Sequence, residues 1–255
     1  MIYIKSKHEI ELMNDSGTIA AETMIRVLEA IKPGITTWEL DKIAEDYIRK
    51  AGAVPSFKNY CGYPGSICAS VNEQVVHGIP SKKAILKEGD IISIDLGAIY
   101  KGYHSDMART KGVGKISEDA EMLIRVTREC FFRSLEFAEV GNHIQDIGAA
   151  VERYAESYGF GVVKDLEGHG VGRSLHEDPG VPNFVTGRRG PKIRAGMTIA
   201  IEPMINMGTD EVYCLDDEWT HVTADGSLAA HYENTVAITE DGPRILTFTD
   251  GGQPE

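Results

Sequence analysis

The chain carries its own pattern twice. Laid over itself with Gly34 on Gly141, it also brings Glu45 onto Glu152, Tyr47 onto Tyr154 and Gly52 onto Gly159. The apolar Leu40 and Ala44 fall on Ile147 and Val151. The same offset carries Gly89 to Gly196, Ile92 to Ile199, Ile94 to Ile201 and Asp95 to Glu202. Four identities in one helical stretch are within reach of coincidence between common helix–strand patterns. An offset that persists into the following strand points instead to duplication, with two helix–helix–strand halves about a pseudo-two-fold axis.

The elements within each half follow from local chemistry. Ser6 and Glu9 form an S-x-x-E capping box, and Ile10, Met13, Gly17, Ala20, Met24, Val27 and Ile31 follow at helical spacing until Pro33-Gly34. Thr36 and Glu39 form a second box, ahead of an apolar stripe that ends at Gly52. Residues 56–80 are rich in Gly, Pro, Tyr and Ser, with short β-prone pieces at 66–71 and 75–77. The Ile-rich run 91–100 predicts a buried strand, Gly102 a turn, and 103–110 the returning partner. Residues 118–138 and 143–158 predict helices, Asp225-Gly226 signals a hairpin, and 235–238 predicts a last strand. No linker or low-complexity tract intervenes. The expectation is a single domain over 1–255, with halves of about 1–115 and 116–255.

Composition narrows the classes. A net charge of −13 argues against non-specific DNA binding, and Lys82-Lys83 and Arg188-Arg189 are too short to form a basic patch. No run approaches the roughly 18 apolar residues of a membrane span. The start, MIYIKSKHEIELM, lacks the apolar core of a signal peptide. The 4 cysteines (Cys61, Cys68, Cys130 and Cys214) have no CxxC spacing, so neither a disulfide framework nor a zinc–thiolate site is expected. Free thiols suit a reducing compartment, and the expected location is the cytoplasm. No apolar interface stripe stands out, so a monomer is expected.

The repeat leads to the chemistry. Asp95 interrupts Ile91-Ile92-Ser93-Ile94, and Glu202 follows Ile199-Ala200-Ile201. A buried carboxylate without a partner costs several kcal/mol. The returning strands carry acids too: His104-Ser105-Asp106 and His231-Tyr232-Glu233 share the pattern H-x-[DE]. Asp106 follows Asp95 after a short connection, whereas a much longer one separates Glu233 from Glu202, so the second hairpin carries an excess. Taken singly, Asp106 or Glu233 reads as a surface acid at a strand end. Asp95 and Glu202 together, within apolar strands, read as metal ligands. Arg109 is the nearest cation, and one cation cannot neutralise four carboxylates. Two divalent ions can, with one His as nitrogen ligand. Oxygen-rich ligation favours manganese, iron(II) or cobalt, with zinc a further candidate. His169 lies among glycines in Glu167-Gly168-His169-Gly170-Val171-Gly172, where the backbone can approach a centre closely. His77 and His176 lie in loop-like stretches flanked by Gly or Pro, where functional residues concentrate.

These residues resemble the short bacterial (type I) methionine aminopeptidases over nearly the whole chain. The resemblance rests on Pro64–Cys68, Val71-Asn72-Glu73, Val76–Pro80, Gly89–Asp95, Gly168–Gly172, His176-Glu177-Asp178-Pro179 and Ile201–Met204. It implies an α+β "pita-bread" (creatinase/aminopeptidase) fold, with two pseudo-symmetric halves around a curved antiparallel sheet. It implies that Asp95, Asp106 and Glu233 bind one metal and Asp106, His169, Glu202 and Glu233 the other, with Asp106 and Glu233 bridging. It implies hydrolytic removal of the initiator methionine from nascent proteins. It implies that Glu202 would shuttle a proton, and that His77 and His176 would orient the peptide and stabilise the tetrahedral intermediate. The methionine pocket would include Tyr60, Tyr63, Cys68 and Trp219, the last within the longer hairpin.

Two departures bear on side-chain preference rather than on the reaction. Leu175 stands where many relatives have Phe, and Cys61 where His or Asn is more usual. The partners implied are peptides with N-terminal Met, with the ribosome a further candidate. Two rival readings are an Xaa-Pro aminopeptidase or prolidase, and a pita-bread binding module without metal. The first generally has a large domain ahead of the first Asp, and here the stretch before Asp95 is already accounted for by the fold. The second would lack ligands, and none is missing. A type II enzyme would carry an inserted helical subdomain, for which the constant offset leaves no room before Glu202.

Overall fold

The computed structural model describes residues 1–248. Helix α1 spans Lys7–Ala30 and opens on the expected box, with Glu9 accepting from the Ser6 backbone N at 2.9 Å. Helix α2, Thr37–Lys50, opens the same way on Thr36 and Glu39. Helix α3, Glu118–Leu135, is capped by Ser117. Helix α4, Ile144–Glu156, begins where Asp146 accepts from the His143 backbone N at 2.8 Å. Acceptors at these positions satisfy N–H groups that the first helical turn leaves free.

Eight strands make the main sheet: β1 Ile67–Val71, β2 Ile91–Leu96, β3 Met107–Gly112, β4 Gly168–Gly170, β5 Glu177–Val181, β6 Thr198–Ile201, β7 Glu233–Thr239 and β8 Gly242–Ile245. Their order is β5-β4-β6-β7-β3-β2-β1, with β8 on β7, and every pairing is antiparallel. Each helix pair covers its own half of the sheet. Met24, Val27, Leu40 and Ala44 pack on Ile67, Ile92 and Ile94, while Phe131, Ile144 and Ile147 pack on Ile199, Ile201 and Val236. The halves join where β3 pairs β7, Glu233 opposite Ala108 and Asn234 opposite Met107.

The repeat is written in the hydrogen bonds. Isolated bridges join Thr36 to Ile85 and His143 to Lys192, and the offset that lays Gly34 on Gly141 carries both members of the first pair onto the second. Gly34 N donates to Leu86 O and Gly141 N to Ile193 O, again at that offset. This is the pita-bread architecture, an α+β fold of two pseudo-symmetric helix–strand halves around an antiparallel sheet.

Three sequence expectations change. Strand 91–100 breaks at Gly97, where a Cβ would lie 2.0 Å from Ser105 O; residues 98–100 turn away to pair with 54–55 and 103–104. Helices α3 and α4 end at Leu135 and Glu156, short of the predicted 138 and 158. Asp225-Gly226 forms a turn but no hairpin. The preceding strand His221–Thr223 pairs with Val212–Cys214 and Gln74–Val76, whereas Ala229–His231 pairs with Met204–Asn206. The extra length of the second hairpin thus supplies a ribbon of its own, laid against Gln74–Val76. Among the described residues no helix is long and apolar enough to cross a membrane.

Candidate active site

Strand alternation places the acids. Ile92, Ile94 and Leu96 of β2 face the helices, so Asp95 faces the other way. Ile199 and Ile201 of β6 do the same for Glu202, just past the strand end. Met107 and Val236 turn toward the helices, which sends Asp106 and Glu233 to the opposite face. All four carboxylates therefore meet on one side of the sheet, across the β3–β7 seam. Asp106 is fixed by Thr235, whose hydroxyl donates to Asp106 O and accepts from Asp106 N, both at 2.9 Å.

His169 reaches them because β4 packs tightly. A Cβ at Gly168 would lie 2.4 Å from Ala200 O, and one at Gly170 would lie 2.2 Å from Asp178 O. His169 Nδ1 donates to Gly170 O at 2.9 Å, which leaves Nε2 with its lone pair. That Nε2 lies 3.6 Å from Asp106 Oδ2 and 3.5 Å from Glu202 Oε1. An acceptor thus faces two acceptors. Asp95 Oδ1, Asp106 Oδ1 and Glu233 Oε1 are buried without a hydrogen-bond partner among the described residues. Arg109 does not relieve them: its guanidinium donates to Ala108 O, Glu233 O and Asn234 Oδ1 and stacks on Tyr232.

The electrostatics follow. Burial pushes the Asp95 carboxyl up to about 7 and that of Glu202 up to about 8. Burial, then the neighbouring carboxylates, carries Asp106 and Glu233 well above the usual range. Desolvation lowers His77 and His231 to about 4 and His169 to about 3, so these imidazoles are neutral at pH 7. Neutral imidazoles and crowded carboxyls form a donor set lacking only positive charge. Asp106, His169 and Glu233 offer ligand atoms within 4.8 Å of one another, as do Glu202, His231 and Glu233. The residues fit divalent cations with mixed oxygen and nitrogen ligation.

All the site residues expected from the sequence line one cavity of about 200 Å³. Tyr63 is buried, and its hydroxyl donates to the Ile67 and Gly78 carbonyls at 3.1 and 3.0 Å. Trp219 stands edge-on to Tyr63, ring centres 5.0 Å apart, at the tip of the extra ribbon. Asp217 holds that tip by accepting from Trp219 N and Thr220 N. His77 follows strand Gln74–Val76 with a left-handed φ of 60°, and its ring centre lies 6.5 Å from that of Trp219. Tyr60 O–H lies 2.7 Å from His176 Nδ1 at the exposed mouth. Cys68 and Leu175 close the pocket with Phe57, whereas Cys61 is exposed and is not part of its wall. Among the lining residues absent from the sequence-based set are Phe57 and His231.

Known proteins resemble the whole of this arrangement. The family model described as metallopeptidase family M24 matches residues 11–240. A methionine aminopeptidase of Clostridium acetobutylicum is 55% identical over 250 residues, 98% of this chain and 100% of that protein. The crystal structure of a Thermotoga maritima methionine aminopeptidase superposes with a TM-score of 0.95 at 44% identity, covering 98% of this chain and 100% of the other. A prolidase of Pyrococcus horikoshii is more distant, with a TM-score of 0.79 at 26% identity, and the match covers 98% of this chain but 64% of that one.

Proposed function

The chain belongs to metallopeptidase family M24, and on that premise we propose that its site uses two divalent ions to release methionine from the N-terminus of peptides. The activity is that of a methionine aminopeptidase, a metal-dependent hydrolase acting on peptides. The observation that carries the site reading is the lone pair of His169 Nε2 facing two buried carboxylates. The prolidase reading has less support, because that likeness is looser and leaves a third of the other protein unmatched. The reading as a metal-free binding module has to leave this acceptor cluster without a counter-charge.

In this reading Asp95, Asp106 and Glu233 hold one ion, and Asp106, His169, Glu202 and Glu233 hold the other. Bound there, the ions supply an activated water and polarise the scissile carbonyl. Glu202 takes the proton that leaves the attacking water and returns it to the departing amine. In this reading the Tyr60 hydroxyl, 2.7 Å from His176 Nδ1, is the donor of that contact, and His176 then presents Nε2–H toward the peptide as a donor for developing negative charge. His77, held between Trp219 and His221, orients the substrate backbone from the opposite wall. Tyr63, Cys68, Leu175 and Trp219 form the wall for the methionine side chain. Manganese, iron(II) and cobalt suit the oxygen-rich set, with zinc a further candidate. We further propose a cytoplasmic monomer, acting on nascent chains with N-terminal Met at or near the ribosome.

The test uses metal-stripped protein resupplied in turn with manganese, iron(II), cobalt or zinc. Met-Ala-Ser and Met-Pro peptides should release Met, and Ala-Pro peptides should remain intact. Cleavage of Ala-Pro instead would move the activity to the Xaa-Pro branch. Metal binding with no release of Met would sink the catalytic reading.

A further inference from the structure

His231 has no role in the ligand set above, yet it is placed like a member of it. The residue is 1% exposed, and neither ring nitrogen has a hydrogen-bond partner among the described residues. Its ring lines the same cavity as the four carboxylates. Its backbone is pinned: His231 N donates to Thr110 Oγ1 at 2.8 Å, and that hydroxyl donates to His231 O at 2.9 Å. Being two residues before Glu233, it shares that residue's face of the chain.

Distance separates the two roles open to this imidazole. Its Nε2 lies 3.6 Å from Glu202 Oε2 and 4.0 Å from Glu233 Oε2. A charge-assisted N–H···O contact is shorter, at about 2.7–2.9 Å. Two donors that share one ion at about 2.1 Å, spread at tetrahedral to trigonal angles, stand about 3.4–3.6 Å apart. His169 Nε2 shows that spacing to the other oxygen of Glu202, at 3.5 Å. Glu202 is therefore flanked by one imidazole on each oxygen.

The fold does not force this placement. The repeat matches His231 with His104, two residues before Asp106. His104 turns instead to Ser56, with Nδ1 3.1 Å from Oγ, and is not part of the cavity wall. Only the copy in the second half reaches the centre.

We infer that His231 is a sixth protein ligand of the divalent-metal centre, completing with Glu202 and Glu233 a triad beside that of Asp106, His169 and Glu233. The inference rests on the two-ion reading of the site. It adds a second imidazole to the ion held by Glu202 and His169, and leaves Asp106 and Glu233 as the ligands shared by both ions. A second nitrogen also shifts the centre's preference from manganese toward iron(II), cobalt and zinc.

The experiment is calorimetric titration of metal-stripped protein with cobalt(II) and manganese(II), joined to pulsed EPR of the manganese form. Wild type, His231→Gln and His169→Ala are compared. Wild type should bind two ions and show two imidazole nitrogen couplings. His231→Gln should weaken one ion by about tenfold or more and lose one coupling. A wild-type spectrum with a single imidazole coupling overturns the inference whether or not the variants fold. So does a His231→Gln isotherm that matches wild type while His169→Ala loses an ion. If His169→Ala also titrates like wild type, the two-ion reading fails first, and that result is distinct from the failure of His231 alone.

Discussion

Tyr60 and His176 form a pair whose chemistry can be separated from its packing. The rings stand 5.2 Å apart, and the hydroxyl lies 2.7 Å from Nδ1. Tyr60→Phe keeps the ring and removes the hydroxyl that sets the His176 tautomer. Loss of one neutral hydrogen bond is worth about 1 kcal/mol. The expected outcome is a fall in kcat of about fivefold on Met-Ala-Ser, with KM little changed, read by steady-state kinetics. An unchanged kcat would leave Tyr60 as packing alone. Single residues were legible where their chemistry clashed with their neighbours, as Asp95 and Glu202 do inside Ile-rich strands. His231 was not, because H-x-[DE] occurs at 104–106 and again at 231–233. Nothing in those letters says which imidazole faces inward. The contacts that decide it, Thr110 against His231 and Ser56 against His104, join positions distant in sequence.

The turn that carries His176 is held by the start of the chain. Glu177 accepts from Arg173 N and Ser174 N, and from Lys5 Nζ at 2.5 Å, with the Lys5 and Glu177 side chains 5% and 6% exposed. Gly172 leaves room for the pair, since a Cβ there would lie 2.6 Å from Glu177 Oε1 and Lys5 Cε. Glu177→Gln leaves a buried ammonium unpaired. Chemical denaturation should then report a loss of about 3–5 kcal/mol, and kcat should fall as the His176 turn loosens. Unaltered stability would mean that water replaces the carboxylate. Helix α1 gives a pH test. Hydrogen bonds from the Ser6 backbone and then the Tyr103 hydroxyl hold Glu9 down at about 2, against 4.5 for a free carboxyl. A lowered carboxyl stabilises the fold fully above its unfolded value and loses that contribution as pH falls through the folded one. Solvent screens this cap, so Glu9→Gln should destabilise by only about 1 kcal/mol at pH 7. The gap to wild type in thermal melts should close as pH falls from about 4.5 to about 2. A gap independent of pH would refute it. Helices were the legible elements, because caps and stripes are local. The break at Gly97 and the ribbon built by the longer hairpin were not, since each depends on a partner strand distant in sequence. Asp225-Gly226 misled for the same reason: its turn is local, but its strands pair elsewhere.

At the scale of the whole molecule, the constant offset made the two halves legible, because duplication preserves spacing even where side chains diverge. The seam between them was less so, since the pairing of β3 with β7 is set by a register of only two residue pairs. That seam gives metal removal a structural meaning. Asp95 and Asp106 come from the first half, and His169, Glu202 and Glu233 from the second, so ions held by this set tie the halves together across β3 and β7. Without them, carboxyls on both sides are driven toward the neutral form or repel one another. An ion present at about 100 times its dissociation constant adds roughly 2.7 kcal/mol of stability. For a chain of this length each kcal/mol moves Tm by about 2–4 °C. Chelation of the loaded protein should therefore lower Tm by about 5–10 °C, and resupplied metal should restore it. The His169→Ala, Glu233→Ala double variant, which removes a ligand from each proposed ion, should melt at the same temperature with and without chelator. If wild type behaves as that variant does, no ion bridges the seam, and the buried carboxylates must be satisfied by protons instead.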